Sequence, residues 1–194
     1  MKLGLNILLV LLIAFLGYLL VTSIQEPIAF KAEKDKRSGA VKERLVDIRT
    51  AQEHFREITG KFAHTFDTLR EVLTTDSFTI ENLKQDPEFP DDPDKFIRTV
   101  TMKSALDSIN SLEINLDSLS LVPFSGGKSF TIETDTLTYQ KTLVNVLQVS
   151  TRWKDFMGPF SDTKYMKYDN SYKPNNIFKF GDLSKPNLGG NWER

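Results

Sequence analysis

From Leu3 to Gln25 the chain carries no charged side chain, and its middle, Ile7-Leu8-Leu9-Val10-Leu11-Leu12-Ile13-Ala14-Phe15-Leu16, is almost pure hydrocarbon. At about 1.5 Å per helical residue, such a run crosses a hydrocarbon layer of about 30 Å. Residues 1–25 are therefore expected to form a transmembrane signal anchor, with Leu3, Ile7, Leu8, Leu9, Val10, Leu11, Leu12, Ile13, Phe15, Leu16, Leu19 and Leu20 as its lipid-contacting positions. Met1-Lys2 and Val21-Thr22-Ser23 also resemble the two ends of a secretory signal. The apolar run exceeds the usual signal core of about 7–15 residues, which favours an uncleaved anchor.

Beyond the anchor the pattern changes twice. Lys31 to Ser38 is charged on all sides and offers no face to bury, so residues 26–40 are expected to form a solvated, charged stalk, with Pro27 permitting a kink. Val41, Leu45, Ile48, Ala51, Phe55 and Ile58 then recur at spacings of three or four, which places them on one helical face that ends at Gly60. Thr65 is the expected N-cap of a second helix, with Phe66, Leu69, Val72 and Leu73 inward and Asp67 near its positive end.

Strand-like alternation follows at 96–102, 119–121 and 130–134, and Thr142 to Val149 is a further β-rich run. Ser125-Gly126-Gly127-Lys128 predicts a hairpin turn, and the proline-rich acidic run from Gln85 to Asp94 predicts a loop. The expected fold is α+β, a long amphipathic helix packed on an antiparallel sheet of roughly three to five strands, with residues 41–194 as one domain. Its end is turn-rich and aromatic, and either wraps the domain or docks on a partner. Tyr165, Tyr168, Tyr172, Phe178 and Trp192 are the candidate partner-binding residues.

Composition narrows the chemistry. Hydrophobic residues make up 40% of the chain, with 14 Phe, which is enough for a packed core. The 25 basic and 26 acidic side chains balance to a net charge of -1, which disfavours a nucleic-acid partner because that binding needs clustered positive charge. With Cys 0, disulfides, thiolate metal sites and cysteine nucleophiles are excluded.

Lys31, Lys34, Lys36 and Arg37 follow the anchor, and a literal count of cations places the domain in the cytoplasm. They alternate with Glu33 and Asp35, however, and the short N-terminal tail before an apolar run has the form of an export signal. The expected location is the bacterial inner membrane, with the domain on the periplasmic side.

Candidate reactive groups are sparse. Gly126-Gly127-Lys128-Ser129 ends like a phosphate-binding loop but has Val122 where that pattern needs glycine, and the next residues favour strand over helix. His54 and His64 are the two histidines; with Glu57 and Asp67 they lack a metal-ligand spacing. The acidic loop lacks the spaced oxygens and turn glycine of a calcium-binding loop. No catalytic residue, cofactor or metal is expected. The partners expected are the lipid bilayer and other membrane or envelope proteins.

Arg49-Thr50-Ala51-Gln52-Glu53-His54-Phe55-Arg56-Glu57-Ile58-Thr59-Gly60-Lys61-Phe62-Ala63, followed by Phe66-Asp67-Thr68-Leu69, resembles the helix end of type IV pilins and pseudopilins. The resemblance covers about a third of the chain and implies a pilin-like packing of helix on sheet. The family's processing site, Gly-Phe with a glutamate five residues into the mature helix, is not matched: Gly4 and Gly17 precede Leu5 and Tyr18, and the first acid is Glu26. Leu121 to Gly127 and Gly189 to Glu193 are also similar to segments of uncharacterised single-pass bacterial envelope proteins. The implied role is a non-enzymatic subunit of an envelope complex of the secretion or translocation type. A membrane-tethered ligand-binding or sensor module is the alternative.

Overall fold

One helix, α1 (Lys2–Thr59), runs 58 residues, through the apolar stretch, past Pro27 and into the domain. The computed structural model describes the backbone of residues 2–85 and 96–193, with side chains placed for residues 4–79 and 98–193. Proline removes one N–H from the ladder without ending the helix, since its neighbours keep theirs. Gly60 closes it at φ +75°, donating to the Arg56 carbonyl at 2.8 Å. That left-handed position favours glycine. Gln52, fully buried, then pins the turn: its amide donates to the Ala63 carbonyl at 3.0 Å and accepts from the Ala63 N–H at 2.9 Å.

The helix α2 (Phe66–Thr75) is capped by Thr65, whose hydroxyl accepts from the Thr68 N–H at 3.2 Å, and it buries Leu69 and Leu73. β1 (Ser77–Gln85) pairs antiparallel with β2 (Phe96–Ser104), Ser77 opposite Ser104 and Gln85 opposite Phe96. Of the acidic loop expected from Gln85 to Asp94, Gln85 ends β1 and the rest lies outside the described residues. A short helix, α3 (Ala105–Ser111), follows directly and buries Ala105 and Ile109.

β3 (Thr131–Tyr139) and β4 (Thr142–Arg152) form a second antiparallel pair, and β5 (Ile177–Gly181) adds to the far edge of β4, giving the order β3-β4-β5. Between them lie the short helix α4 (Trp153–Phe156) and two 3₁₀ turns, Gly158–Phe160 and Thr163–Lys167.

The fold is α+β, but the single sheet expected divides into a two-stranded and a three-stranded sheet. The strand expected at 119–121 is reduced to one bridge, Leu121 with Ser129. Pro123 has no N–H to extend that pairing, and positive φ at Phe124, Gly126 and Gly127 curls the chain away. β5 lies in the tail expected to be turn-rich, and α3 falls in a stretch for which the sequence predicted no element.

One apolar cluster joins α1, α2, α3, β4, α4 and β5. Val41, Leu45, Ile48, Ala51 and Phe55 form its helical side as their spacing predicts. The cluster also takes in Phe30, only 1% exposed, which corrects the expectation of a solvated stalk over 26–40. The reason is tertiary. Lys34, Arg37 and Phe30 bind parts of the chain more than a hundred residues away.

Candidate functional site

On the α1 side, the junction with the C-terminal third is built around Phe30 and the charged side chains of Glu26, Lys34 and Arg37. Phe30 packs against Phe160, Tyr165, Tyr168 and Tyr172, with ring centroids 5.9, 5.5, 6.1 and 5.2 Å away. One turn further along, Lys34 forms an ion pair with Asp169 and lies 5.5 Å over the Trp153 ring. Arg37 bonds Glu33 at 2.6 Å, donates to the Phe156 carbonyl at 2.9 Å and stands 5.1 Å from the Phe124 ring. At the end nearest the apolar stretch Glu26 accepts from the Tyr168 hydroxyl and lies 3.7 Å from the Lys167 ammonium.

These contacts shape the titrations. The Lys34 ammonium, then the Ser171 hydroxyl, hold the Asp169 carboxyl down at about 2. The Tyr168 hydroxyl lowers Glu26 in the same way. Burial pushes the Tyr172 phenol up to about 12, and its hydroxyl donates to the Phe160 carbonyl at 2.7 Å. Charged acids and a neutral phenol are the forms that the junction binds best.

The five candidate partner residues do not form one surface. Tyr165, Tyr172 and Phe178 are buried in the core, so the packing that was weighed against partner binding is what the structure gives them. Tyr168 and Trp192 remain half-buried. Trp153, missed in the sequence, joins Trp192 and Phe178 along a cleft of about 450 Å³ beside α1, with Lys34, Lys42 and Asn176 on its walls. Trp153 and Trp192 each lie 5.0 Å from Phe178. No local pattern announces this cleft, because its walls come from α1, α4 and β5.

The β1–β2 ribbon is the other distinctive feature. Every described side chain from Arg98 to Lys103 is exposed, Val100 at 57% and Met102 at 74%. The register puts Met102 opposite Thr79 and Val100 opposite Glu81, so Val100 and Met102 share a face. From Arg98 to Lys103 β2 thus has both faces in solvent, and a two-stranded ribbon is marginal by itself.

The remaining candidates separate. His54 bonds Glu57 at 3.2 Å and stacks on Phe78, with ring centroids 5.8 Å apart, while His64 is exposed on the rim of a different hollow beside Asp135 and Asn145. Gly126 to Ser129 is a tight turn, closed by the Val122 N–H donating to the Lys128 carbonyl at 2.8 Å, and it leads into β3. Among the described residues, His, Asp and Glu form no group of three that could hold a metal ion.

The first part of α1 is long and apolar enough to cross a membrane, and no residue of its apolar window is buried in the protein. No family model, curated protein or solved structure matches the chain. The pilin resemblance therefore rests on its motif alone.

Proposed function

We propose that the chain is a non-enzymatic, single-pass subunit of the bacterial inner membrane, its domain held on the periplasmic side and offered to other envelope proteins. The observation that carries this reading is the continuity of α1: one uninterrupted helix contains both the exposed apolar span and a main wall of the core. An apolar surface of that length in water is strongly unfavourable, and lipid is the solvent that removes the cost. The pilin-like packing of the helix end belongs to the same proposal.

The exposed Val100–Met102 face supplies a place for a protein partner. Full-length protein extracted in mild detergent is expected to migrate with a second envelope protein, and a photo-cross-linker at Met102 is expected to attach to that same protein. A strictly monomeric particle with no adduct at Met102 would overturn the subunit reading. Protease digestion of the domain in intact spheroplasts checks the periplasmic side.

A second reading, ligand capture, is favoured by the cleft lined by Trp153, Phe178 and Trp192. Tryptophan rings beside amide and ammonium groups suit a small polar ligand. Under that reading, tryptophan emission shifts on titration with such a ligand, and Trp153→Ala abolishes the shift while the fold persists.

A further inference from the structure

We propose that the groove between the emerging end of α1 and the 3₁₀ turn Thr163–Lys167 seats the headgroup of a phosphoethanolamine lipid. The inference rests on the membrane-anchor reading. If residues 3–20 fill the hydrocarbon, about 27 Å of helix, then Tyr18 to Leu20 lie at its upper edge and residues 21–26 pass through the headgroup layer. The domain reaches down to that level. A groove of about 710 Å³ opens there between Tyr18, Leu19, Thr22 and Glu26 on the helix and Lys167 and Tyr168 on the turn.

The lining matches one class of lipid by charge and by shape. Tyr18, 66% exposed, and Leu19, 45% exposed, continue the apolar surface of the span and suit the upper part of an acyl chain. Lys167 lines the groove 4.5 Å over the Tyr168 ring, and Lys164, beside it on the same turn but outside the lining, lies 4.7 Å over the Tyr165 ring; both residues are exposed and supply positive charge for a phosphate. Glu26 offers the second carboxylate oxygen, since its Oε2 takes both the Tyr168 hydroxyl and Lys167.

The other acids nearby are occupied. Asp162 caps the Lys164 N–H at 2.8 Å, and Asp169 is paired with Lys34. The groove thus presents opposite charges side by side, as a headgroup of phosphate and primary ammonium requires. A phosphoglycerol headgroup has no ammonium to pair with Glu26, and a quaternary ammonium has no N–H to donate to it.

Chain-spin-labelled lipids in vesicles of mixed composition test the assignment with the full-length protein. The phosphoethanolamine lipid is expected to associate about three- to tenfold more strongly than the phosphocholine or phosphoglycerol lipid, a charge-assisted hydrogen bond at a wet interface being worth that much. Glu26→Gln is expected to bring the preference over phosphocholine to near one. Equal association of all three lipids with the native chain, or a preference that survives in Glu26→Gln, overturns the proposal.

Position is read independently. The chain has no cysteine, so a single Thr163→Cys carries one nitroxide, expected at headgroup depth. A nitroxide in bulk water, with lipids still motionally restricted by the span, overturns the groove and leaves the anchor standing. No restricted lipid of any class defeats the anchor reading and the proposal with it.

Discussion

Gly181 holds φ at +79°, and a Cβ built on it would stand 2.1 Å from the Leu147 carbonyl oxygen, inside the ladder that joins β5 to β4. Backbone cannot retreat there as a flexible side chain could, and the left-handed conformation adds its own cost. Gly181→Ala is expected to lower stability by about 2–4 kcal/mol, read as an earlier midpoint in chemical unfolding of the detergent-solubilised chain. An unchanged midpoint would mean that β5 does not approach β4 so closely. Asp169 works through charge instead. Its carboxyl is held at about 2, below its ordinary 3.8, because Lys34 and Ser171 bind the ionised form. A depressed acid contributes stability that is fully present above the ordinary value and is lost as pH falls through the folded value, so this contribution fades between about pH 4 and pH 2. Asp169→Asn is expected to cost about 1 kcal/mol at neutral pH, allowing for solvent screening of a pair 16% and 29% exposed, and to flatten the acid limb of the stability curve. An acid limb identical in the two proteins would show that the pair contributes nothing.

The β3–β4 hairpin turns in two residues, Gln140 at φ 48° and Lys141 at φ 69°, with Tyr139 opposite Thr142 closing the ladder. Two successive left-handed residues match the twist of the flanking strands, but neither glutamine nor lysine favours that conformation. Replacing the pair by Asn-Gly is therefore expected to stabilise the chain by about 1 kcal/mol and raise the melting temperature by about 2–4 °C. A fall in melting temperature would mean that the side chains of Gln140 and Lys141 supply contacts of their own. The same turn shows why the sheets were only partly legible. Ser125-Gly126-Gly127-Lys128 has the composition of a hairpin turn and forms only one bridge, while the real hairpin turns on residues with no turn preference. Elements governed by local periodicity were readable: the inner face from Val41 to Phe55, the Gly60 stop and the Thr65 cap all occur where the spacing places them. Elements governed by distant partners were not. β5 is a strand because β4 offers it an edge, and its short run Ile177-Phe178-Lys179-Phe180 was hidden in the sequence by the turn residues and prolines, Pro174 and Pro186, on either side of it. The aromatic junction was visible in the tail as a set of tyrosines, but the ring they surround, Phe30, sits in a stretch whose charges hide its burial.

At the scale of the whole molecule, the question is whether the segment between apolar span and domain is a tether or part of the fold. A solvated stalk would let the domain swivel, and cutting it would leave stability untouched. The structure makes residues 26–40 structural, since Phe30 is buried among four rings and Lys34 and Arg37 hold the Asp169 side chain and the Phe156 carbonyl. Loss of a buried phenylalanine alone costs about 3–5 kcal/mol, against a total of about 5–15 kcal/mol for an ordinary domain. A chain of residues 29–194 is accordingly expected to fold in water with a cooperative melt. A chain of residues 41–194, cut where the amphipathic spacing begins, is expected to lose most of that cooperativity and to expose Tyr165 and Tyr172 to proteases. Phe30→Ala in the longer chain separates the ring from the charges: a loss of about 3–5 kcal/mol assigns the effect to packing, and a much smaller loss assigns it to Lys34 and Arg37. Equal melting of the two truncated chains would restore the tether. If the shorter chain fails as expected, α1 carries the direction of its apolar stretch into the core without a joint, and the domain cannot turn without moving that stretch with it.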